Sequence, residues 1–294
     1  MLERIDFHSY WRGKVHGVLR LGAYAGEPGG YDEAAAIFLQ DNGHDRGLTV
    51  PCRTMAEVFA RVGDGSAVYG VVPVDNSLAG STGESYDLLL GAAGALTITG
   101  ETVVNVDHCL LGLVGTRLDR VREVRGHPRD LAQCEPYLAQ LGVELVPHYS
   151  AEGAAKHVKM WGSPEVAAVG PAAAAAVYGL SILASGVQTN PHNFTRYVRI
   201  EPASRPRGER NKTVLALGLE HTPDSLFLAL SSVACRGINL TKIESRPIQR
   251  DPYQFIFLLE FEGHIDDWQV KQALDELKAK TTMLRVLGSY AVGE

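Results

Sequence analysis

The chain has 294 residues, 45% of them hydrophobic and 21% charged, with a formal net charge of −6. This length predicts two or three compact units with ample material for a core. The negative charge excludes a nucleic-acid partner, whose phosphates call for a basic surface, and nothing in the balance favours an anionic membrane.

No stretch reaches the roughly 20 apolar residues of a membrane helix. Residues 1–17 carry Glu3 and Asp6, lack the apolar run of a secretory signal, and read as a short extension. Cys52, Cys109, Cys134 and Cys235 are scattered without a CxxC pair, and the ten histidines show neither HxxxH nor HExxH spacing. The expectation is reduced core cysteines in a cytoplasmic protein, with no metal site and no cofactor.

From 18 to 200, short apolar runs alternate with helix-like stretches, predicting an α/β region with mainly parallel strands in two lobes about a cleft. Residues 18–24 read as a strand, 26–30 as a turn, and 32–40 as a helix with Asp32 as its N-cap. Strand 67–73 ends in Asp75-Asn76-Ser77, and 84–90 is helical. Residues 97–106, 109–114 and 121–126 read as strands, followed by a helix over 131–141. Strand 166–170 leads into an alanine-rich helix, 172–178, stopped by Gly179, and 183–186 and 195–201 are the last strands.

Residues 201–210 (EPASRPRGER) hold two prolines and a glycine and read as a linker. The segments beyond read strand (213–219), helix (225–236), strand (238–245), turn (249–252), strand (253–261), helix (265–280) and strand (284–290). This βαββαβ order is a split-βαβ sandwich. The expected units are therefore 18–200, a linker at 201–211, and a module at 212–294.

Four loops place polar or glycine residues directly after apolar strands, where ligands of α/β sheets sit. Residues 24–31, with Gly29, Gly30 and Tyr31, form a glycine-rich turn at a helix start; the turn is either an anion cradle or a plain tight turn. Asp75, Asn76 and Ser77, continuing to Thr82, are either a polar site lining or ordinary turn chemistry. His108 beside Cys109 is either reactive or a packed pair. In Asn193-Phe194-Thr195-Arg196-Tyr197, an amide, a hydroxyl and a guanidinium can converge, or the segment is a strand start with a surface arginine. Alternation along a strand sets Asn193, Thr195 and Tyr197 on one face and Arg196 on the other.

Taken in order, AYAGEPGGYDEAAA (23–36), VVPVDNSLAGS (71–81), YDLLL (86–90), HCLLG (108–112), HP (127–128), AQCEPYL (132–138), NFTRY (193–197) and LTKIESRP (240–247) resemble one family. That family is the prephenate dehydratases, especially the branch shared with plant arogenate dehydratases, and the C-terminal module resembles an ACT domain. The resemblance implies a bilobal, periplasmic-binding-protein-like catalytic region that converts prephenate to phenylpyruvate in L-phenylalanine biosynthesis. It places the acid role on Thr195 and substrate contacts on Arg196, Asn193, Asn76, Ser77, Asp75, Gly29, Gly30 and Tyr31. A phenylalanine effector site is implied at Asp224, Ser225, Leu226 and Phe227 with Glu244, Ser245, Arg246 and Pro247, in a homodimer or homotetramer.

The chain departs from the family pattern at Asp75 (usually Glu), Asp32 (Ser), Tyr197 (Phe), Pro171 (Ser) and Asp224 (Gly). Competing readings are arogenate as substrate, a decarboxylase that retains the ring hydroxyl, and a non-catalytic amino-acid sensor.

Overall fold

The computed structural model describes residues 21–40, 48–203, 207–248 and 251–292. The expected extension, the first residues of the first expected strand, 204–206 of the linker, and 249–250 of the expected turn lie outside these residues.

The first lobe starts with β1 (Leu21–Ala25), α1 (Tyr31–Phe38), β2 (Leu48–Cys52), α2 (Met55–Gly63) and β3 (Tyr69–Asn76). Both β2 and β3 pair with β1 in parallel. The two-residue β4 (Gly80–Ser81) folds back on the end of β3, and α3 (Gly83–Ala92) and β5 (Thr97–Asn105) follow. The chain then crosses to a second sheet. Its members are β6 (Cys109–Gly112), β7 (Glu123–Gly126), α4 (Pro128–Gln133), α5 (Glu135–Leu141), β8 (Glu144–Pro147), α6 (Ala151–Trp161), β9 (Val166–Gly170), α7 (Ala172–Tyr178) and β10 (Ser181–Ser185), with strand order β10-β6-β9-β7-β8. Finally β11 (Phe194–Glu201) returns to the first sheet and lies antiparallel between β3 and β5.

This α/β, bilobal architecture agrees with the expectation, with four local corrections. The strands are mixed rather than mainly parallel, because β11 and β6 run against their neighbours. The helix expected over 131–141 is two helices broken at Cys134, since Pro136 supplies no N–H to continue α4 and instead occupies the first turn of α5. Asp32 is not an N-cap: Gly30 holds that position and Asp32 lies inside the first turn. Segments 48–63 and 144–161, which carried no expected element, contain β2, α2, β8 and α6. Thr54 caps α2 by accepting from the Glu57 N–H at 3.1 Å, and Val58, Phe59 and Val62 are its buried face.

The C-terminal module consists of β12 (Asn211–Gly218), α8 (Ser225–Ala234), β13 (Leu240–Ile248), β14 (Asp251–Glu262), α9 (Trp268–Lys280) and β15 (Met283–Ala291). The antiparallel order β13-β14-β12-β15 is the ferredoxin-like βαββαβ sandwich expected. One sheet face carries α8 and α9, whose Val233 and Leu277 pack with Leu215, Leu217 and Leu259 of the strands. The other face joins the first lobe, where Val214, Ala216, Leu258 and Leu287 share one core with Val72, Leu89, Ile98 and Ile200.

The linker at 201–210 is therefore not a gap between two bodies. Strand β15 pairs in parallel with β5 at Gly288 and Ile98, and the two sheets become one of ten strands. A Cβ on Gly288 would lie 2.5 Å from the Ile98 Cβ and carbonyl oxygen, so only glycine allows this approach.

Candidate functional site

A cleft of about 300 Å³ lies between the two sheets, with Tyr31, Asn76, Gln133, Glu152, Asn193 and Thr195 in its walls. Two chain crossings, near 106–108 and 186–193, form its back. They are tied by the Val106 N–H to the Asn193 carbonyl (2.8 Å) and the Val187 N–H to the His108 carbonyl (3.0 Å). Gln188 locks the pair from the side, accepting from the His108 N–H and donating to Asp107, each at 2.9 Å. At the opposite edge, Glu27 of the glycine-rich turn accepts from Tyr149 (2.5 Å), and Tyr178 donates to the Pro28 carbonyl at 3.0 Å. Gly29, with φ +90°, brings its backbone against Ala174 of α7, where a Cβ would sit 2.8 Å from the Ala174 Cα.

Thr195 on β11 is in register with Asn76 on β3. The Asn76 amide nitrogen donates to the Thr195 hydroxyl oxygen at 3.0 Å, and Asn193 accepts from the same nitrogen at 2.8 Å. Its orientation is fixed because the Asn76 carbonyl oxygen accepts from the N–H groups of Leu78 and Ala79, at 3.0 and 2.9 Å. Asn193, almost fully buried, donates to the Gln133 side-chain oxygen at 2.9 Å, and His108 Nε2 lies 2.9 Å from that same oxygen. A carbonyl oxygen only accepts, so His108 carries its proton on Nε2. The line Thr195–Asn76–Asn193–Gln133–His108 thus runs from one lobe to the other through the hinge. His108 is a buried prop in this line, which resolves the third loop to its packed reading. Because the Thr195 oxygen accepts from Asn76, its own proton is free to be donated into the cleft.

Arg196 and Asp75 do not face this cleft. Arg196 points to the opposite side of the sheet, where Glu260 of β14 binds it at 2.6 and 2.8 Å and Glu101 at 2.9 Å; Asp75 accepts from its Nε at 2.9 Å. Asp75 also pairs with Lys242 of β13 at 2.5 Å. Burial pushes the Asp75 carboxyl up, but Lys242 and Arg196 outweigh it and hold it below the ordinary value. The strand alternation read from the sequence is therefore the correct guide for Arg196, against its expected role as a substrate contact. Ser77 is a tether: its hydroxyl donates to the His192 carbonyl (3.1 Å) and accepts from the Phe194 N–H (3.0 Å). The Gly29 N–H is taken by Glu33 at 2.7 Å, and Gly30 lies against the Glu152 carboxylate, so neither glycine offers an anion cradle. Tyr31 does line the cleft, its hydroxyl donating to the Asp107 carbonyl at 2.6 Å.

Asp130 and Glu152 line the cleft, and Asp32 lies buried behind its wall. Burial, and then the charge of Glu152, push Asp32 up to about 7. Glu152 is itself raised, chiefly by burial. Tyr197, two residues beyond Thr195, lies with its hydroxyl 3.4 Å from Asp32. Two of the departures from the family pattern, Asp32 and Tyr197, are therefore partners in one contact. No group of three His, Cys, Asp or Glu side chains among the described residues can hold a metal ion.

A family model for prephenate dehydratase matches residues 23–205, more than half of the chain. The chain belongs to the prephenate dehydratase family. It is accordingly a lyase by family. Among its relatives, the arogenate dehydratase/prephenate dehydratase 2 of Arabidopsis thaliana, a chloroplastic protein, is 37% identical over 281 residues, covering 92% of this chain and 72% of the relative. A bifunctional N-acyl-homoserine lactone acylase/prephenate dehydratase of Komagataeibacter europaeus is 35% identical over 274 residues, covering 92% and 95%. The crystal structure of prephenate dehydratase in complex with L-Phe from Arthrobacter aurescens superposes with a TM-score of 0.82 at 29% identity, covering 92% of this chain and 90% of that one.

The eight residues expected at the effector site lie on two elements, the start of α8 and the strand β13. Glu244 accepts from Ser81 at 2.5 Å, and Arg246 reaches the Gly83 carbonyl (2.6 Å) and Asp87 (2.9 Å), so both engage the catalytic lobe at the start of α3. Ser245 and Pro247 alternate with them on β13, paired with Phe257 and Phe255. Asp224, Ser225, Leu226 and Phe227 begin α8; Ser225 donates to the Thr222 carbonyl at 3.1 Å and Phe227 is 72% exposed. Gln133, His127, Arg129 and Glu152 of the cleft carried no expected role. Gln133 lies inside the family text AQCEPYL and His127 inside HP, which is the signal that pointed to this wall.

Proposed function

We propose that this chain catalyses the decarboxylative dehydration of prephenate to phenylpyruvate, in the cytoplasm and in L-phenylalanine biosynthesis. The observation that carries this reading is the Asn76–Thr195 bond at the cleft wall, which leaves the threonine proton to be donated. In the reaction the ring C–CO2⁻ bond breaks and its electron pair enters the ring. The ring C–O bond breaks at the same time, and the departing hydroxyl takes a proton to become water. Thr195 supplies that proton in concert with its replacement from solvent, because an alcohol is too weak an acid to store a charge. Such proton donation contributes roughly 10²–10⁴ in rate. Asn76 steadies the threonine oxygen as its proton leaves, and the Asn193–Gln133–His108 line holds Asn76 in place.

We further assign phenylalanine as effector of the C-terminal ACT-type module, in a homodimer or homotetramer. The relative solved in complex with L-Phe supports this, as do the exposed Phe227, Leu228 and Trp268 on the module's helices. The second reading is arogenate as substrate, favoured by Asp130 and Glu152, which line the cleft and can meet the ammonium that arogenate carries in place of the keto group.

Ultraviolet detection of phenylpyruvate formed from prephenate tests the first reading, with kcat/KM for arogenate measured alongside. A clear preference for arogenate selects the second reading. Turnover of neither, with phenylalanine binding intact by calorimetry, identifies a sensor. A cyclohexadienyl alcohol as product identifies a decarboxylase.

A further inference from the structure

A substrate that keeps a side-chain carboxylate from start to finish needs a cation in the cleft, and Arg196 does not provide one. Its guanidinium is bound by Asp75, Glu101 and Glu260 on the far side of the sheet. Arg199 is buried and pairs with Glu201 at 2.8 Å, and Arg125 is tied to Glu123 and lies 5.4 Å from the centre of the Trp161 ring. Arg129 is different. It lines the cleft on the wall formed by the start of α4, and its guanidinium makes no hydrogen bond or ion pair among the described residues. Beside it, His127 also lines the cleft, and His127 Nδ1 accepts the Arg129 backbone N–H at 3.3 Å. With Nδ1 accepting, the neutral ring carries its proton on Nε2 as a second donor.

We propose that Arg129 and the Nε2–H of His127 form the carboxylate subsite of the cleft and hold the substrate's side-chain carboxylate. The choice between the two substrate carboxylates follows from the charge each has in the transition state. The ring carboxylate loses its charge as CO2 departs, so a strong cation on it would favour the ground state and slow the reaction. The side-chain carboxylate keeps its charge throughout, so a guanidinium fork on it binds ground and transition states alike. Asp130 and Glu152 line the same cleft, and the Arg129 guanidinium offsets their charge toward an incoming anion. The assignment rests on the dehydratase reading but is indifferent to prephenate or arogenate, since both carry this carboxylate.

Arg129→Gln and Arg129→Lys, checked for native stability, are compared with wild type in KM and kcat for prephenate and in Ki for phenylpyruvate, the product that retains this carboxylate. Arg129→Gln is expected to raise KM and Ki together by about tenfold or more while kcat stays within about threefold. Arg129→Lys should lie between, having the charge without the fork. Unchanged KM and Ki, or a fall in kcat alone, would overturn the assignment. If wild type turns over neither substrate, the dehydratase reading fails. Phenylpyruvate calorimetry on wild type and Arg129→Gln then still decides the subsite, and equal affinities overturn it.

Discussion

Replacing Glu260 by glutamine tests whether the ion cluster behind β11 joins the C-terminal module to the catalytic lobe. Glu260 is 3% exposed on β14 and holds Arg196 of β11 through both carboxylate oxygens. Around them Lys212 pairs with Glu101 and Lys242 with Asp75, while Glu244 lies at the rim, 3.1 Å from Lys242. Glutamine keeps the shape and one acceptor but removes the charge. Leaving a buried charge wholly unpaired costs about 3–5 kcal/mol. Arg196 retains Asp75 and Glu101, so the loss is that of charge-assisted hydrogen bonds, about 1.5–3 kcal/mol. Glu260→Gln should therefore lower the urea midpoint by an amount equal to about 2 kcal/mol with an unchanged m-value. In Arg196→Met the same substitution should cost far less, because its partner is gone. A Glu260→Gln protein within about 0.5 kcal/mol of wild type would refute the idea that this cluster holds the two parts together.

Thr195→Ala should lower kcat by about 10²-fold or more while phenylpyruvate still binds, and Thr195→Ser, which keeps the hydroxyl, should retain most of the activity. Near-wild-type turnover by the alanine variant would remove Thr195 from the acid role. Asp32 is pushed by burial, then by Glu152, from an ordinary value of 3.8 to about 7 in the fold. Its proton therefore stabilises the native state fully below pH 3.8, and that contribution is lost as pH rises through 7. Asp32→Asn should thus be more stable than wild type above pH 7, with the difference closing toward pH 4 in denaturant titrations at each pH. A constant difference across that range would show that Asp32 ionises normally. Gly288→Val should be destabilising by several kcal/mol in the same assay, since the added side chain meets Ile98 on β5.

The fold was largely legible in the sequence because its strands and helices carry strong local patterns. Elements such as Val166–Gly170 and Ala172–Tyr178 lie where the apolar run and Gly179 put them. Residues 48–63 were harder, for β2 is a half-exposed edge strand with a proline, and the apolar face of α2 shows only three buried positions. Within the site, Asn76 is readable as a polar residue ending an apolar strand and Asn193 and Thr195 as polar residues opening one, and the structure brings them together. Arg196 and Asp75 come from the same loops, yet their orientation is decided by Glu260 and Lys242, which are distant in sequence. No local pattern reports such a partner. Arg129 escaped for the opposite reason: an unpaired surface arginine on a six-residue helix has no sequence signature, and only the closure of the two lobes gives it a role.

The joint between β15 and β5 also sets an order of events during synthesis. β5 and β11 are made long before β15, so the edge of β5 at Ile98 stays uncovered until Gly288 has emerged. Arg196 likewise lacks Glu260, and Asp75 lacks Lys242, until those residues emerge after the whole of the catalytic lobe. Folding of the catalytic lobe is thus finished from the C-terminal side, by strands that arrive late. An exposed sheet edge beside an unfinished core is the kind of surface that nascent-chain chaperones bind. Chains truncated before β15 should accordingly accumulate in such complexes rather than as free catalytic lobes.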